Sequence, residues 1–487
     1  MKTRTRIPLE RVDDYTWRIP KSYKPGMRVP GIVLADEDLL GKMRGDRTLQ
    51  QLCNITHLPG IYKHAITLPD GHEGYGFPIG GVAATDREEG VVSPGGVGYD
   101  INCGVRLLTT NLSEQDVRPK LAGLTDTIFK NVPCGLGSRR KDLRLTSHQL
   151  DRLIAEGVQW VVGQGLGWSE DVKHCEEEGC MEAANPDKVS ARAKGRGLSQ
   201  CGTLGSGNHF LEIQRVDKIY NPQVAKAFGV HREGQVTVMI HCGSRGFGHQ
   251  VCSDYLRVME RAVHRYKISL PDRELACAPG NSNEAEDYYQ AMACAVNYAF
   301  SNRQAITHWV RQSFERVFKR PADEFGLGLV YDVAHNIAKI EEHKVNGQRR
   351  KVWLHRKGAT RAFPPGHREV AADYRRAGQP VIIPGSMGTH SWLLVGAPKA
   401  MEVSFGSTAH GAGRTMSRSA AKRKFWGGDV KKSLEERGII VRSASEVILA
   451  EEADPAYKDV DRIVGISDRI GIAARVARLA PMAVIKG

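Results

Sequence analysis

The sequence has no apolar run of about 18 residues, so no segment reads as a membrane-spanning helix. Its N-terminus, MKTRTRIPLERVDDYTW, lacks the apolar centre of a signal peptide, and the chain is expected to be cytoplasmic with no membrane partner. Cysteine is sparse. Ten thiols spread over 487 residues are too few for a disulfide scaffold, which leaves them as free thiols or metal ligands in a reducing compartment. No low-complexity tract, internal repeat or shift in composition marks a linker. Residues 1–487 are therefore expected to form one large domain. Acidic residues are in deficit, 55 Asp+Glu against 69 Lys+Arg, for a net charge of +14. That balance favours a polyanionic partner such as nucleic acid, although a solvated basic surface has the same composition.

Glycine, by contrast, is abundant, 52 residues gathered into short loops. Helical patterns cover Ser147–Val162, Ala285–Phe318 and Gly413–Arg437, and β-branched runs predict strands in GQVTVMIH, LGLVYDVAH and QPVIIPGSMG. The two element types mix without a regular βαβ rhythm, which predicts an α+β fold.

Chemistry-bearing residues gather where these strands run into glycine loops, the usual place for side chains held by a rigid scaffold. GGVGYDINCGVRL carries Asp100 and Cys103, GSGNHF carries Asn208 and His209, and His241 and His335 end two apolar runs. Thiolate, imidazole and carboxylate together suit a borderline transition metal such as zinc, manganese or cobalt. Five ligands exceed one tetrahedral shell, so two ions bridged by Cys103 is a natural arrangement, and two-metal sites suit phosphoryl chemistry. Taken singly, each histidine also reads as an ordinary hydrogen-bonded residue. In AHGAGR, His410 is flanked by small residues that leave room for a phosphate, with Arg414 four positions on. It can be a base, a metal ligand, a nucleophile that forms a phosphoramidate, or a turn residue. Asp70, His72 and Glu73 of DGHEGYGF can bind metal or RNA, or stabilise a turn. His174, Cys175 and Cys180 of HCEEEGC have no second half-site at zinc-finger spacing and read as a helix surface. Arg349–Lys351 and Lys422–Lys424 read as solvated faces, and GSGNHF lacks the Lys-Ser/Thr ending of a P-loop.

Long ordered motifs, among them LPGIYKHAITLPDGHEGYGFPIGG, VVSPGGVGYDINCGVRLL, KVSARAKGRGLSQCGTLGSGNHFLEIQ, VMIHCGSRGFGHQV, YDVAHNIAK, LHRKGATRAFPP, STAHGAGRTMSR and MAVIKG, make the chain resemble the RtcB family of RNA-splicing ligases nearly end to end. The resemblance implies mixed β-sheets surrounded by helices around a central polar pocket for metal and nucleotide. It implies two manganese ions bridged by Cys103, one completed by Asp100 and His209 and the other by His241 and His335. It implies a GTP site at Asn208, His209, Phe210, Leu211, Glu212, His335, Asn336, Pro384, Gly385, Ser386, Met387, Ser391, His410, Gly411, Ala412, Gly413 and Lys486, with Tyr457 near the guanine. His410 would carry a covalent guanylate. RNA ends, either tRNA halves or broken strands under repair, would be the substrates, with an archease-type activator as a partner and a monomer as the expected state. A dinuclear metallophosphoesterase acting on RNA ends without GTP is the alternative.

Overall fold

The β-branched runs become strands of one large mixed sheet, GQVTVMIH in its interior and LGLVYDVAH and QPVIIPGSMG at the two ends of its strand order. Gln235–Cys242 is buried along its whole length, which is why its sequence is continuously apolar rather than alternating. The computed structural model describes residues 7–140 and 142–487. In this sheet the strands run in the order Gly328–Ala334, Gly104–Ser113, Gln235–Cys242, Phe210–Ile219, Ala473–Lys486, Ser391–Gly396 and Pro380–Ile383, with Ile440–Ser443 also paired to Ala473–Lys486. A second sheet orders Glu10–Arg11, Thr16–Ile19, Gly31–Leu34, Ala65–His72, Ile79–Asp86, Gln348–Lys357 and Asn336–Val345. Helices pack against both, so the architecture is α+β with mixed sheets. No helix of the described residues is long and apolar enough to cross a membrane.

The chain passes from one sheet to the other at a single residue. Gly328–Ala334 belongs to the first and Asn336–Val345 to the second, which leaves His335 at the junction. Behind that junction lies the longest helix, Asn283–Phe318, begun by the Ser282 hydroxyl capping the Ala285 N–H at 3.2 Å. Arg303 of this helix and Arg106 of a central strand both bond Asp332, each at 2.8 Å, and all three side chains are fully buried. Arg303 also donates to the backbone oxygens of Asn102 and Cys242, at 3.0 and 2.8 Å. This charged knot ties the helix to the loop that carries Asp100 and Cys103.

Two expected helices are broken. Ser147–Glu156 and Val158–Gly163 separate at Gly157, whose φ of 62° is left-handed and whose Cα faces Gly179 O too closely for any Cβ. Gly413–Arg437 divides into Arg418–Lys424 and Gly427–Glu436, with residues 413–417 outside both helices. HCEEEGC is not a helix surface. Glu177 and Glu178 take left-handed turns, Cys175 is buried against the Arg106 guanidinium at 3.3 Å, and Glu176 is buried against Lys339 at 2.5 Å.

Candidate active site

Four adjacent antiparallel strands bring their chemistry to one edge of the first sheet. Ala334 pairs with Gly104, Gly104 with Cys242, and Phe210 with His241. The residues just beyond or at those positions are His335, Cys103, His241 and His209, so strand register alone collects them. Cys103 Sγ lies 3.2 Å from His241 Nε2 and 3.5 Å from His209 Nε2. His209 Nε2 is also 2.8 Å from Asp100 Oδ2. Asp100, Cys103 and His209 offer ligand atoms within 4.8 Å of one another. The rings of His241 and His335 have centroids 5.6 Å apart.

The surroundings aim these groups. The backbone N–H of Ser244, at the start of helix Arg245–Arg265, donates to Asp100 Oδ1 at 3.1 Å. Gly243 presses so close to the Asp100 carboxylate that a Cβ there would overlap it, at 2.3 Å. Thr360 Oγ1 takes up His335 Nδ1 at 2.8 Å. Asn336 bridges the two sheets, donating to Asp100 O at 3.0 Å and accepting from Gly358 N at 2.8 Å. Asn102, left-handed at φ 50°, is fixed by Arg303 and Val296 O.

The donor set fits a transition metal on this structure's own terms. His241 Nδ1 and His335 Nε2 are buried with no hydrogen-bond partner. Burial, then neighbouring imidazoles, hold both rings well below the ordinary histidine range, so they are neutral lone-pair donors. Burial lowers His209 as well, but Cys242, Asp100 and Cys103 outweigh it and hold this ring well above its ordinary value. Burial and the Asp100 charge push the Cys103 thiol up, and a divalent cation is the charge that would bring it back down to thiolate.

His410 sits across a cavity of about 200 Å³ from this cluster, its ring centroid 5.2 Å from that of His335. It follows the short strand Ser407–Ala409, which pairs with Ala359–Arg361, and the Ala359 N–H donates to His335 O at 3.0 Å. Asp70, fully buried, accepts from both the backbone N–H of His410 at 2.9 Å and its Nδ1 at 2.6 Å. Burial raises the Asp70 carboxyl, yet the His410 bonds overcome this and leave it below its ordinary value. Gly413, at φ 64°, lets the loop fold over Asp70 O, where a Cβ would lie 2.3 Å away.

The structure brings most of the expected nucleotide residues to this cavity. Cys103, Asn208, Phe210, His241, His335, Asn336, Pro384–Met387, His410–Gly413, Tyr457 and Lys486 line it. Asp100 and His209 lie behind Cys103, as the distances above show. Ser391 is buried and holds the Gly385 N–H at 3.1 Å rather than facing the cavity. Leu211 is buried in the apolar core. Glu212 is fully buried; its Oε2 accepts from Gln214 at 2.7 Å and its Oε1 has no partner. Burial pushes this carboxyl up to about 8 against the Gln214 bond and the Lys486 charge.

Sequence reasoning missed several supports. In sequence Asp70 reads as a metal- or RNA-binding residue or a turn residue, and nothing there points across 340 positions to His410. Thr360 and Asn102 carried no signal. Glu452 is the buried acid that gathers Arg414 at 3.0 Å, Lys486 at 3.6 Å and the Tyr457 hydroxyl at the cavity wall. Asp454 accepts from Gly388 N and Ser386 Oγ, both at 2.9 Å, and so shapes the 384–388 loop.

A family model described as tRNA-splicing ligase RtcB matches residues 51–487. The chain is 58% identical over 484 residues to the tRNA-splicing ligase RtcB of Thermococcus kodakarensis, covering 99% of this chain and 100% of that protein. It is 58% identical over 483 residues to that of Pyrobaculum aerophilum, covering 99% of each. With that of Archaeoglobus fulgidus it shares 56% over 479 residues, covering 98% and 99%. Identity this high along the full length, with the cavity assembled as described, places the chain in the tRNA-splicing ligase RtcB family.

Proposed function

We propose that the protein is a GTP- and manganese-dependent RNA ligase. It would join RNA ends bearing a 2′,3′-cyclic phosphate or 3′-phosphate to 5′-hydroxyl ends, in tRNA splicing, RNA repair or both. The observation that carries this reading is His410, which Asp70 holds from behind and which lines the same cavity as Cys103, His241 and His335. The names of the relatives, tRNA-splicing ligases, support it. An archease-type activator belongs to the same reading.

Asp100, Cys103 and His209 would hold one manganese ion and Cys103, His241 and His335 a second, supplying positive charge against phosphate oxygens. Asp70 holds the Nδ1–H of His410, which leaves Nε2 as the ring's lone pair. Nε2 bonds to the α-phosphorus of GTP while the bond to the leaving oxygen breaks, and pyrophosphate departs with that electron pair. The phosphorylated ring is cationic, and the Asp70 carboxylate at 2.6 Å stabilises it. A cyclic phosphate is first opened by water. An oxygen of the RNA 3′-phosphate then attacks the guanylate phosphorus and returns the P–N electrons to Nε2, giving RNA-3′-pp-G. The 5′-hydroxyl, losing its proton, attacks the RNA 3′ phosphorus and displaces GMP.

Glu212, with Oε1 unpaired and the Lys486 charge near it, would meet the N1–H and 2-amino donors of guanine as a carboxylate, releasing its proton to solvent when the base binds; adenine lacks that edge. Lys486 lies close enough to help hold the nucleotide. The test is joining of a 3′-phosphate RNA to a 5′-hydroxyl RNA with manganese, with and without GTP. Joining that depends on GTP is the expected result. Removal of the phosphate without GTP and without joining would favour the metallophosphoesterase instead.

A further inference from the structure

Beside the metal cluster stands an aromatic ladder that the chemistry above does not use. Tyr99, next in sequence to Asp100, is one of six large hydrophobic side chains exposed among the described residues. Its ring stacks on that of His249, centroids 6.2 Å apart and planes 29° apart. It also meets the half-buried Tyr75 edge-on, at 5.4 Å and 62°. His249 is exposed as well, one turn into the helix whose N-cap residue, Ser244, donates its backbone N–H to the Asp100 carboxylate. Tyr99 is thus anchored beside Asp100 by the chain, and His249 by the helix that begins at Ser244.

The ladder has a rigid base. Lys357, buried beneath it, donates its ammonium to the backbone oxygens of Tyr75 and Gly95, the latter at 3.2 Å. Gly98, at φ 99°, takes a left-handed turn over the Lys357 stem, so the backbone delivers Tyr99 outward. The exposed Arg196 lies one helix away, packed near Gly246 of the helix that carries His249. An exposed, stacked aromatic pair beside a candidate metal ligand, with Arg196 on the neighbouring helix and a net charge of +14 on the chain, has the features of a base-stacking platform.

On the ligase reading given above, we infer that Tyr99 and His249 form a platform for the terminal base of an RNA end, positioning its phosphate or hydroxyl against the Asp100 side of the metal cluster. Stacking needs only the π-face, so the platform accepts any of the four bases and serves an enzyme whose RNA ends vary in sequence.

The experiment uses the full-length protein with manganese and GTP, and two RNA oligonucleotides carrying 2-aminopurine at the terminus, one 3′-phosphate and one 5′-hydroxyl. Wild-type protein should quench the terminal 2-aminopurine of the end it stacks, and the two oligonucleotides tell which end that is. Tyr99→Ala and His249→Ala should each lose the quench and raise KM for that RNA about ten-fold, while Tyr99→Phe keeps both near wild type. Protein guanylylation with α-labelled GTP, which needs no RNA, should be unchanged in all three. Unaltered quench and KM in both alanine variants would overturn the platform. So would loss of guanylylation in step with joining in both, since the rings would then only support Asp100. Unaltered RNA behaviour accompanied by loss of binding to a protein partner would reassign the face to that partner. Wild-type protein that forms no labelled adduct would instead overturn the ligase reading, whatever the quench.

Discussion

Asp70 decides which nitrogen of His410 is basic. Its carboxylate holds Nδ1–H at 2.6 Å from a fully buried position, so the ring cannot turn over without stranding a charge. Asp70→Asn keeps the shape but removes the charge that balances a phosphorylated ring. Guanylylation should fall by about 10²–10⁴-fold with the fold retained, measured as the rate of labelled adduct formation. A variant reacting at the wild-type rate would remove Asp70 from the chemistry. Glu212 makes a second residue-scale case. Its carboxyl is pushed up from 4.5 to about 8 in the folded protein. The folded state therefore keeps a proton that the unfolded chain releases, and stability contributed at low pH is lost as pH rises from 4.5 toward about 8. The slope is roughly 1 kcal/mol per pH unit. Glu212→Gln should abolish that component, so the stability difference between variant and wild type should widen between about pH 5 and about pH 8 in urea unfolding of the metal-free protein. A difference that stays constant across that range would show that Glu212 is ionised in the fold. The candidate ligands themselves were legible in the sequence because each lies where an apolar run meets a loop. Asp70 was not, because its role exists only through a contact formed by folding.

At the scale of elements, the site is a consequence of register. Four neighbouring strands end at one edge, and a one-residue slip in any of them would turn its side chain to the opposite face. The Arg106–Asp332–Arg303 knot holds that register from behind. Arg303→Met leaves Asp332 with one partner and frees the Asn102 and Cys242 oxygens, and a broken buried charge network costs about 3–5 kcal/mol. A correspondingly lower Tm and poorer manganese retention are expected, read by calorimetry and by metal content after gel filtration. An unchanged Tm would mean the knot is dispensable. Helix boundaries were less legible. The spacing across Ser147–Val162 is helical throughout, and only the approach of Gly179, distant in sequence, forces the break at Gly157. HCEEEGC misled in the same way, since its charges are paired with Lys339 and Arg361 from strands on the far side of the molecule's sequence.

For the whole molecule, composition and mixed periodicity were enough for an α+β fold, and the order of its motifs was enough for the family. The path of the strands was not, because the first sheet departs from chain order throughout, the second after its fifth strand, and the crossing at His335 has no local marker. That crossing is what unites the account. It sets the edge of one sheet that carries the candidate metal ligands against the His410 loop that leans on the other, with a cavity between them. The central claim is that His410 is the nucleophile, and incubation of the protein with α-labelled GTP and manganese tests it most directly. The account predicts a labelled adduct that is lost in acid, stable in alkali and mapped by mass spectrometry to His410, and no adduct with His410→Asn even though that variant still seals RNA supplied as RNA-3′-pp-G. An acid-stable adduct, or one that persists in His410→Asn, would contradict it.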